Sequence, residues 1–214
     1  MIKLINIKKS INNRCLLNDV SLEIGKGEFV IITGPSGEGK TTLLNVIGLL
    51  DCDYTGSLFF NGTELSPEMR NDYFEIRKKI GYVFQDALIN DNQTVCRNLT
   101  LPSLAVPVHD INERVSFLLK KTGLSGFEHQ KGIVLSGGEK QRLSVARAVF
   151  HSPLVVLADE PTASLDHDNK RKVIDFLESI NREYRVTVIV VTHDLDYFMD
   201  KRRITLKNGM LYEG

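Results

Sequence analysis

Apolar positions change period several times along the chain, and each change predicts an element. Residues 2–7 alternate apolar and polar side chains over the length of a strand, and Val20, Leu22 and Ile24 repeat the period before Gly25-Lys26-Gly27 turns the chain. An antiparallel β layer with one buried face is expected there. Residues 29–32 (Phe-Val-Ile-Ile) are apolar without interruption, as in a strand buried on both faces, and a second apolar run occupies 43–50. Residues 57–60 with Asn61-Gly62 read as strand and turn. Ser66-Pro67-Glu68 supplies an N-cap and a first-turn proline for a helix running towards Lys79, and 80–84 is the next core strand. From about 88 to 151 the pattern turns helical, notably at 111–121 and 138–149, punctuated by Pro102, Pro107, Gly123 and Gly126. Strand and helix then alternate again: 154–157, a helix with Val173, Leu177 and Ile180 on one face, and 186–191. The chain closes on 204–206, Asn208-Gly209 and 210–212, a hairpin signal.

The expected fold class is therefore α/β: a mostly parallel sheet flanked by helices, with an antiparallel β layer and an inserted α-helical subdomain. One domain spans 1–214, with core and β layer at about 1–87 and 152–214 and the helical subdomain at about 88–151. Composition fits a globular chain, with 214 residues, 42% hydrophobic and 25% charged. Twenty-seven basic residues balance 27 acidic ones, which argues against nucleic acid as a partner and against a polybasic membrane anchor. Cys15, Cys52 and Cys96 lie far apart with no CxxC spacing, so neither a disulfide framework nor a zinc site is expected. No apolar stretch is long enough to cross a bilayer and the first residues lack a signal-peptide core, so a transport role requires a separate membrane subunit.

Candidate chemistry starts between the runs at 29–32 and 43–50. Gly34-Pro35-Ser36-Gly37-Glu38-Gly39-Lys40-Thr41-Thr42 contains the GxxxxGK[ST] pattern of a phosphate cradle. Glycines let the backbone amides approach phosphate oxygens, Lys40 reaches the β- and γ-phosphates, and the Thr41 hydroxyl ligates Mg²⁺. Strand, cradle and helix make this a P-loop NTPase core. At 154–158 a buried strand emerges into Asp159-Glu160-Pro161, at the sheet edge where ligands bind. There Asp159 would hold Mg²⁺ and Glu160 would orient the attacking water or accept its proton. Alone, an acidic pair after a strand is as often a solvated turn; behind a phosphate cradle it gains weight. Leu135-Ser136-Gly137-Gly138-Glu139-Lys140-Gln141-Arg142 places a serine N-cap and two glycines at a second helix start. A chain that already has a cradle has use for this helix end if Ser136 and Gly138 face the nucleotide of another copy, which implies a two-fold, head-to-tail homodimer.

With that string the chain resembles an ABC transporter ATP-binding subunit over essentially its full length. The resemblance implies an ATPase coupled to transport, with ATP and Mg²⁺ as cofactors and an integral membrane permease as partner. It places the chain at the cytoplasmic face of the membrane. By the same resemblance Gln85 matches the glutamine that links Mg²⁺ and the attacking water to the membrane subunit. Ser164-Leu165-Asp166 matches the D-loop between the two copies, and His193 the histidine that contacts the γ-phosphate. Individually these are common features: a polar strand end, a cap, a histidine at a sheet edge. The other histidines, His109, His129, His151 and His167, match nothing and are expected to face solvent.

The chain departs from the family pattern at Ile11, where an aromatic residue usually stacks on adenine, at Val134, where a glutamine often stands, and at Glu38, where a small residue is usual. Glu38 is expected to point outward. Residues 47–51, 54–57, 94–98 and 101–102 resemble the branch of lipoprotein-releasing, macrolide-exporting and antimicrobial-peptide-exporting ATPases, although Arg97 stands where glutamate is common. Export or membrane extraction of a peptide, lipoprotein or amphiphilic compound is the expected function. An ATP-driven signalling module of the cell-division type, translocating nothing, is the alternative. A soluble ABC ATPase of chromosomes or ribosomes fits worse, for want of a coiled-coil insert or a second cassette. The groove near Gln85 and 86–92 is the expected permease-docking surface, with Leu88 and Ile89 equally readable as core.

Overall fold

Strict alternation along the buried strands divides the interior into two cores. The computed structural model describes residues 1–65 and 70–213. In chain order its elements are β1 (Ile2–Ile11), β2 (Arg14–Ile24), β3 (Phe29–Thr33), α1 (Lys40–Ile47), β4 (Thr55–Phe60), β5 (Thr63–Leu65), α2 (Arg70–Arg77), β6 (Ile80–Val83), α3 (Val95–Thr100), α4 (Ile111–Lys121), α5 (Gly137–Val149), β7 (Val155–Asp159), α6 (His167–Tyr184), β8 (Thr187–Val191), β9 (Arg202–Lys207) and β10 (Met210–Glu213). The larger sheet has six strands in the order β10-β9-β3-β8-β7-β6, parallel throughout except for the β9–β10 hairpin. The smaller has four antiparallel strands in the order β2-β1-β4-β5. Mixed α/β architecture, the antiparallel layer and the Asn208-Gly209 hairpin follow the sequence pattern, and the expected turn at Asn61-Gly62 proves to join β4 to a short partner, β5.

Phe29 and Ile31, Val156 and Ala158, and Val188 and Val190 enter one core, beneath the helices α3 to α6. Their neighbours Val30, Ile32, Val155, Leu157, Ile189 and Val191 enter the other, which α1 and the antiparallel sheet close. Successive strand residues face opposite sides, so a sheet covered on both faces needs apolar residues at every position. All five residues of β3, β7 and β8 are buried accordingly. Each buried Val, Leu, Ile or Phe among them contributes roughly 1.5–3 kcal/mol relative to exposure.

Helices α3, α4 and α5 lie between β6 and β7 in sequence and pack on one another. The side of α5 facing β6 approaches so closely that a Cβ on Gly81 would lie 2.1 Å from the Ala148 carbonyl oxygen. At the β1–β2 hairpin Asn12 and Asn13 take the two left-handed positions, φ 49° and 63°, of a two-residue turn. This sets Ile11 directly opposite Arg14.

Three local expectations change or fall away. Helix α5 begins at Gly137 rather than Gly138, because the serine cap already fixes the residue after it. His109, His129 and His167 are exposed, whereas His151 is half-buried at the end of α5; its Nδ1 has no hydrogen-bond partner among the described residues, and burial lowers its pKa. The expected cap at Ser66-Pro67-Glu68 lies outside the described residues.

The contact at Gly81 gives a direct test of the α5–β6 packing. Gly81→Ala must displace backbone and is expected to lower stability by about 1–3 kcal/mol, read as a lower urea midpoint at unchanged slope.

Candidate functional site

Because β3, β8, β7 and β6 run parallel, the segments following them emerge at one edge of the sheet. There they line a cavity of about 670 Å³ with Ser36, Gly37, Gly39, Lys40, Thr41 and Thr42 after β3, His193 after β8, Asp159 and Glu160 at the end of β7, and Gln85 after β6. Ile11, Asn12, Arg14 and Leu16 of the β1–β2 hairpin complete the lining. One open site therefore collects residues separated by up to about 180 positions in sequence.

The loop from Gly34 to Gly39 depends on its glycines. Gly34, Gly37 and Gly39 have φ of 143°, 77° and 98°, and a Cβ on Gly34 would lie 2.0 Å from the Leu206 carbonyl oxygen of β9. Lys40 folds back across the loop, its ammonium donating to the carbonyls of Gly34 at 2.8 Å and Pro35 at 2.9 Å. Arg14 donates to the Gly37 carbonyl at 3.0 Å. Glu38 does not simply point outward: its carboxylate accepts from the backbone amide of Asn208 in the β9–β10 turn. That bond turns the negative charge away from the cradle and ties the loop to the neighbouring hairpin.

The carboxylate pair sits in a drier setting. Asp159 is buried; burial pushes its carboxyl above the ordinary value, against the pull of a hydrogen bond from Thr41 and the Lys40 charge. Its Oδ1 is buried without a hydrogen-bond partner. Burial likewise raises the Glu160 carboxyl, opposed by His193 and Lys40. Glu160 has the left-handed φ of 45°, an unusual conformation for a side-chain-bearing residue, and His193 Nε2 lies 3.3 Å from its Oε1. Behind them Asp194 accepts from Thr162 and Lys170, both at 2.6 Å, fixing the segment that carries His193.

Ser136, Gly138 and Asp166 lie outside this cavity. Ser136 caps α5 in a capping box: its hydroxyl accepts from the Glu139 amide, and the Glu139 carboxylate accepts from the Ser136 amide and hydroxyl at 2.8 Å each. The box leaves Gly137 and Gly138 as first-turn amides without intrahelical partners. Sequence reasoning missed Asn12, Arg14 and Leu16 as part of the lining, although Asn12-Asn13 between alternating strands is a turn signal that would have brought Arg14 to the cavity.

A glycine loop running from a buried strand into a helix, with a carboxylate pair at a neighbouring strand end, defines a nucleoside triphosphatase of the P-loop class. The family model described as ABC transporter matches residues 17–163. The lipoprotein-releasing system ATP-binding protein LolD of Aquifex aeolicus is 38% identical, over 95% of this chain and 92% of its own length. The macrolide export ATP-binding/permease protein MacB of Bdellovibrio bacteriovorus is 37% identical over 92% of this chain, which spans only 30% of that longer protein. Among solved structures, the dimeric ATP-binding cassette MJ0796 in a post-hydrolysis state with ADP and Pi superposes with a TM-score of 0.89 at 36% identity, covering 100% of this chain and 98% of that one. The chain belongs to the ABC transporter family, as an ATP-binding ATPase subunit.

Raised carboxyl pKa values mean that the folded protein holds these protons more tightly than the unfolded chain, so ionisation at neutral pH costs stability. Asp159→Asn and Glu160→Gln are therefore expected to melt above the unaltered protein at neutral pH in the absence of nucleotide. The gain should shrink as pH falls through the raised carboxyl range and vanish below about pH 4, which thermal melts across that range would check.

Proposed function

We propose that this subunit powers export or membrane extraction of a peptide, lipoprotein or amphiphilic compound through a separate permease subunit. The relatives' names support this branch: one belongs to a lipoprotein-releasing system, and another joins ATP binding to a permease in a single protein. No helix among the described residues is long and apolar enough to cross a membrane. We place the subunit at the cytoplasmic face, held by its permease, with residues 88–151 as a helical subdomain. Leu88 is exposed beside the exposed Gln85, whereas Ile89 packs on the core, so only the former offers docking surface.

In this reading Gly34 to Thr42 cradle the phosphates of ATP and Lys40 moves its charge from the loop carbonyls to the β- and γ-phosphates. Water adds to the γ-phosphorus, the bond to ADP breaks, and the water proton passes towards Glu160, oriented by His193. A carboxylate made more basic by burial suits that task. Mg²⁺ fits the residues present: the unpartnered Oδ1 of Asp159 lies in the same cavity as the Thr41 hydroxyl and Gln85, and no cage of three or more His, Cys, Asp or Glu exists among the described residues. When bound, Mg²⁺ neutralises phosphate charge.

The observation that carries the reading is the division of the parts. Cradle, carboxylates and His193 share one cavity, while the capped end of α5 lies outside it with Ser136 and Gly137 exposed and Gly138 buried behind them, so that a second copy's nucleotide would meet the exposed residues first. Two copies paired head to tail would enclose two ATP molecules between Lys40 and Glu160 of one and Ser136 and Gly138 of the other, with Asp166 between. Ile11 and Arg14 border the base end.

Glu160→Gln is expected to lower ATP hydrolysis by roughly 10² to 10⁴ while retaining ATP and sedimenting as a dimer with ATP and a monomer with ADP. Unchanged hydrolysis would remove Glu160 from its assigned role. Purification from the native membrane should bring down a permease.

A further inference from the structure

Asn169, in the first turn of α6, makes contacts that the cavity does not explain. Its backbone amide donates to Asp166 Oδ1 at 2.8 Å and completes the cap of α6, while its side-chain amide donates to Asp166 Oδ2 at 2.7 Å. The side-chain carbonyl accepts from the guanidinium of Arg142, a buried residue of α5 whose Nε is held by the Thr122 carbonyl at 2.9 Å. The same side chain lies flat against Gly138: a Cβ there would come within 2.5 Å of Asn169 Cγ. One short side chain thus touches the cap of α6, the second residue of α5 and the arginine one turn further on.

Each of these contacts restricts a different motion. The Gly138 contact sets how closely the start of α5 approaches α6, the Arg142 bond sets the rotation of α5 about its axis, and the Asp166 bond sets the carboxylate that ends the 164–166 turn. We propose that Asn169 is a positioning residue that makes the Ser136-capped end of α5 and the 164–166 turn one rigid face, presented as a unit to the nucleotide of the second copy. This rests on the shared-site reading above. Asn169 lies outside the cavity, so its effect falls on pairing of the copies and not on nucleotide capture by a single copy.

Asn169→Ala isolates the side chain, because the backbone amide of residue 169 still caps α6 and alanine suits a helix. With Glu160→Gln as background and ATP present, Asn169→Ala is expected to weaken dimerisation about tenfold by sedimentation equilibrium. In the chain with Glu160 intact it should lower kcat by a similar factor, with ADP affinity of the monomer unchanged within about twofold. Gly138→Ala supplies the second measurement. Its defect in dimerisation should be smaller when Asn169 is replaced by alanine, since the clash is then gone, the non-additivity expected of two residues in contact. Unchanged dimerisation, strict additivity with Gly138→Ala, or a parallel fall of ADP affinity and melting temperature would each overturn the assignment. A Glu160→Gln chain that binds ATP yet stays monomeric would instead overturn the shared-site reading and this inference with it.

Discussion

The parallel direction of β3, β8, β7 and β6 is the constraint on which the site depends. Parallel neighbours need crossover connections, crossovers put cover on both faces of the sheet, and the covered sheet must then be apolar at every position. The consequence for chemistry is positional. Four segments far apart in sequence leave the sheet at one edge, so a glycine loop, two carboxylates, a glutamine and a histidine meet without any contact between them being needed to bring them together. An antiparallel order would have sent alternate segments to the opposite edge.

Helix α5 is the second organising element, because it touches both the cavity rim and the surface outside it. Gln141 donates to the Phe84 carbonyl at 3.2 Å, immediately before Gln85; Arg147 donates to the carbonyls of Ala87 and Leu88, both at 2.8 Å; Lys140 pairs with Asp91 at 2.6 Å. The segment that follows β6 is thus strapped along one side of α5, and the capped end of α5 projects beyond it. Side chains of one helix therefore link the position of Gln85 to that of Ser136.

Local chemistry made much of this legible. The continuous apolar run at 29–32 and the glycines after it declare a buried strand and a phosphate loop because few other residues satisfy either demand, and Asn61-Gly62 and Asn208-Gly209 declare a turn and a hairpin because both need left-handed residues. Other features depend on partners remote in sequence. Nothing near Glu38 announces that its carboxylate is occupied by the Asn208 amide, 170 residues away. Arg14 enters the cavity lining only because Asn12 and Asn13 close a two-residue turn, and His151 is half-buried only because of where α5 delivers it. Periodicity reports which face of an element is covered. It carries no information on which polar group meets which across the fold.

The site carries local costs that the two cores offset. Two carboxylates are held against desolvation, Asp159 Oδ1 lacks a hydrogen-bond partner, and Glu160 adopts a conformation that bulky residues avoid. A divalent cation would answer the first two, since its charge favours ionised carboxylates and the free Asp159 oxygen could ligate it, whereas the phosphates of a nucleotide bring further negative charge. Left-handed Glu160 answers to geometry: its amide donates to the Val191 carbonyl at 2.9 Å, prolonging the β7–β8 ladder by one bond, and the chain then turns so that the side chain faces His193 rather than the core. An extended residue there would carry the strand on in alternation and send the carboxylate of position 160 to the face opposite that of Asp159. The strained turn is what lets two adjacent residues present both acidic groups to one cavity.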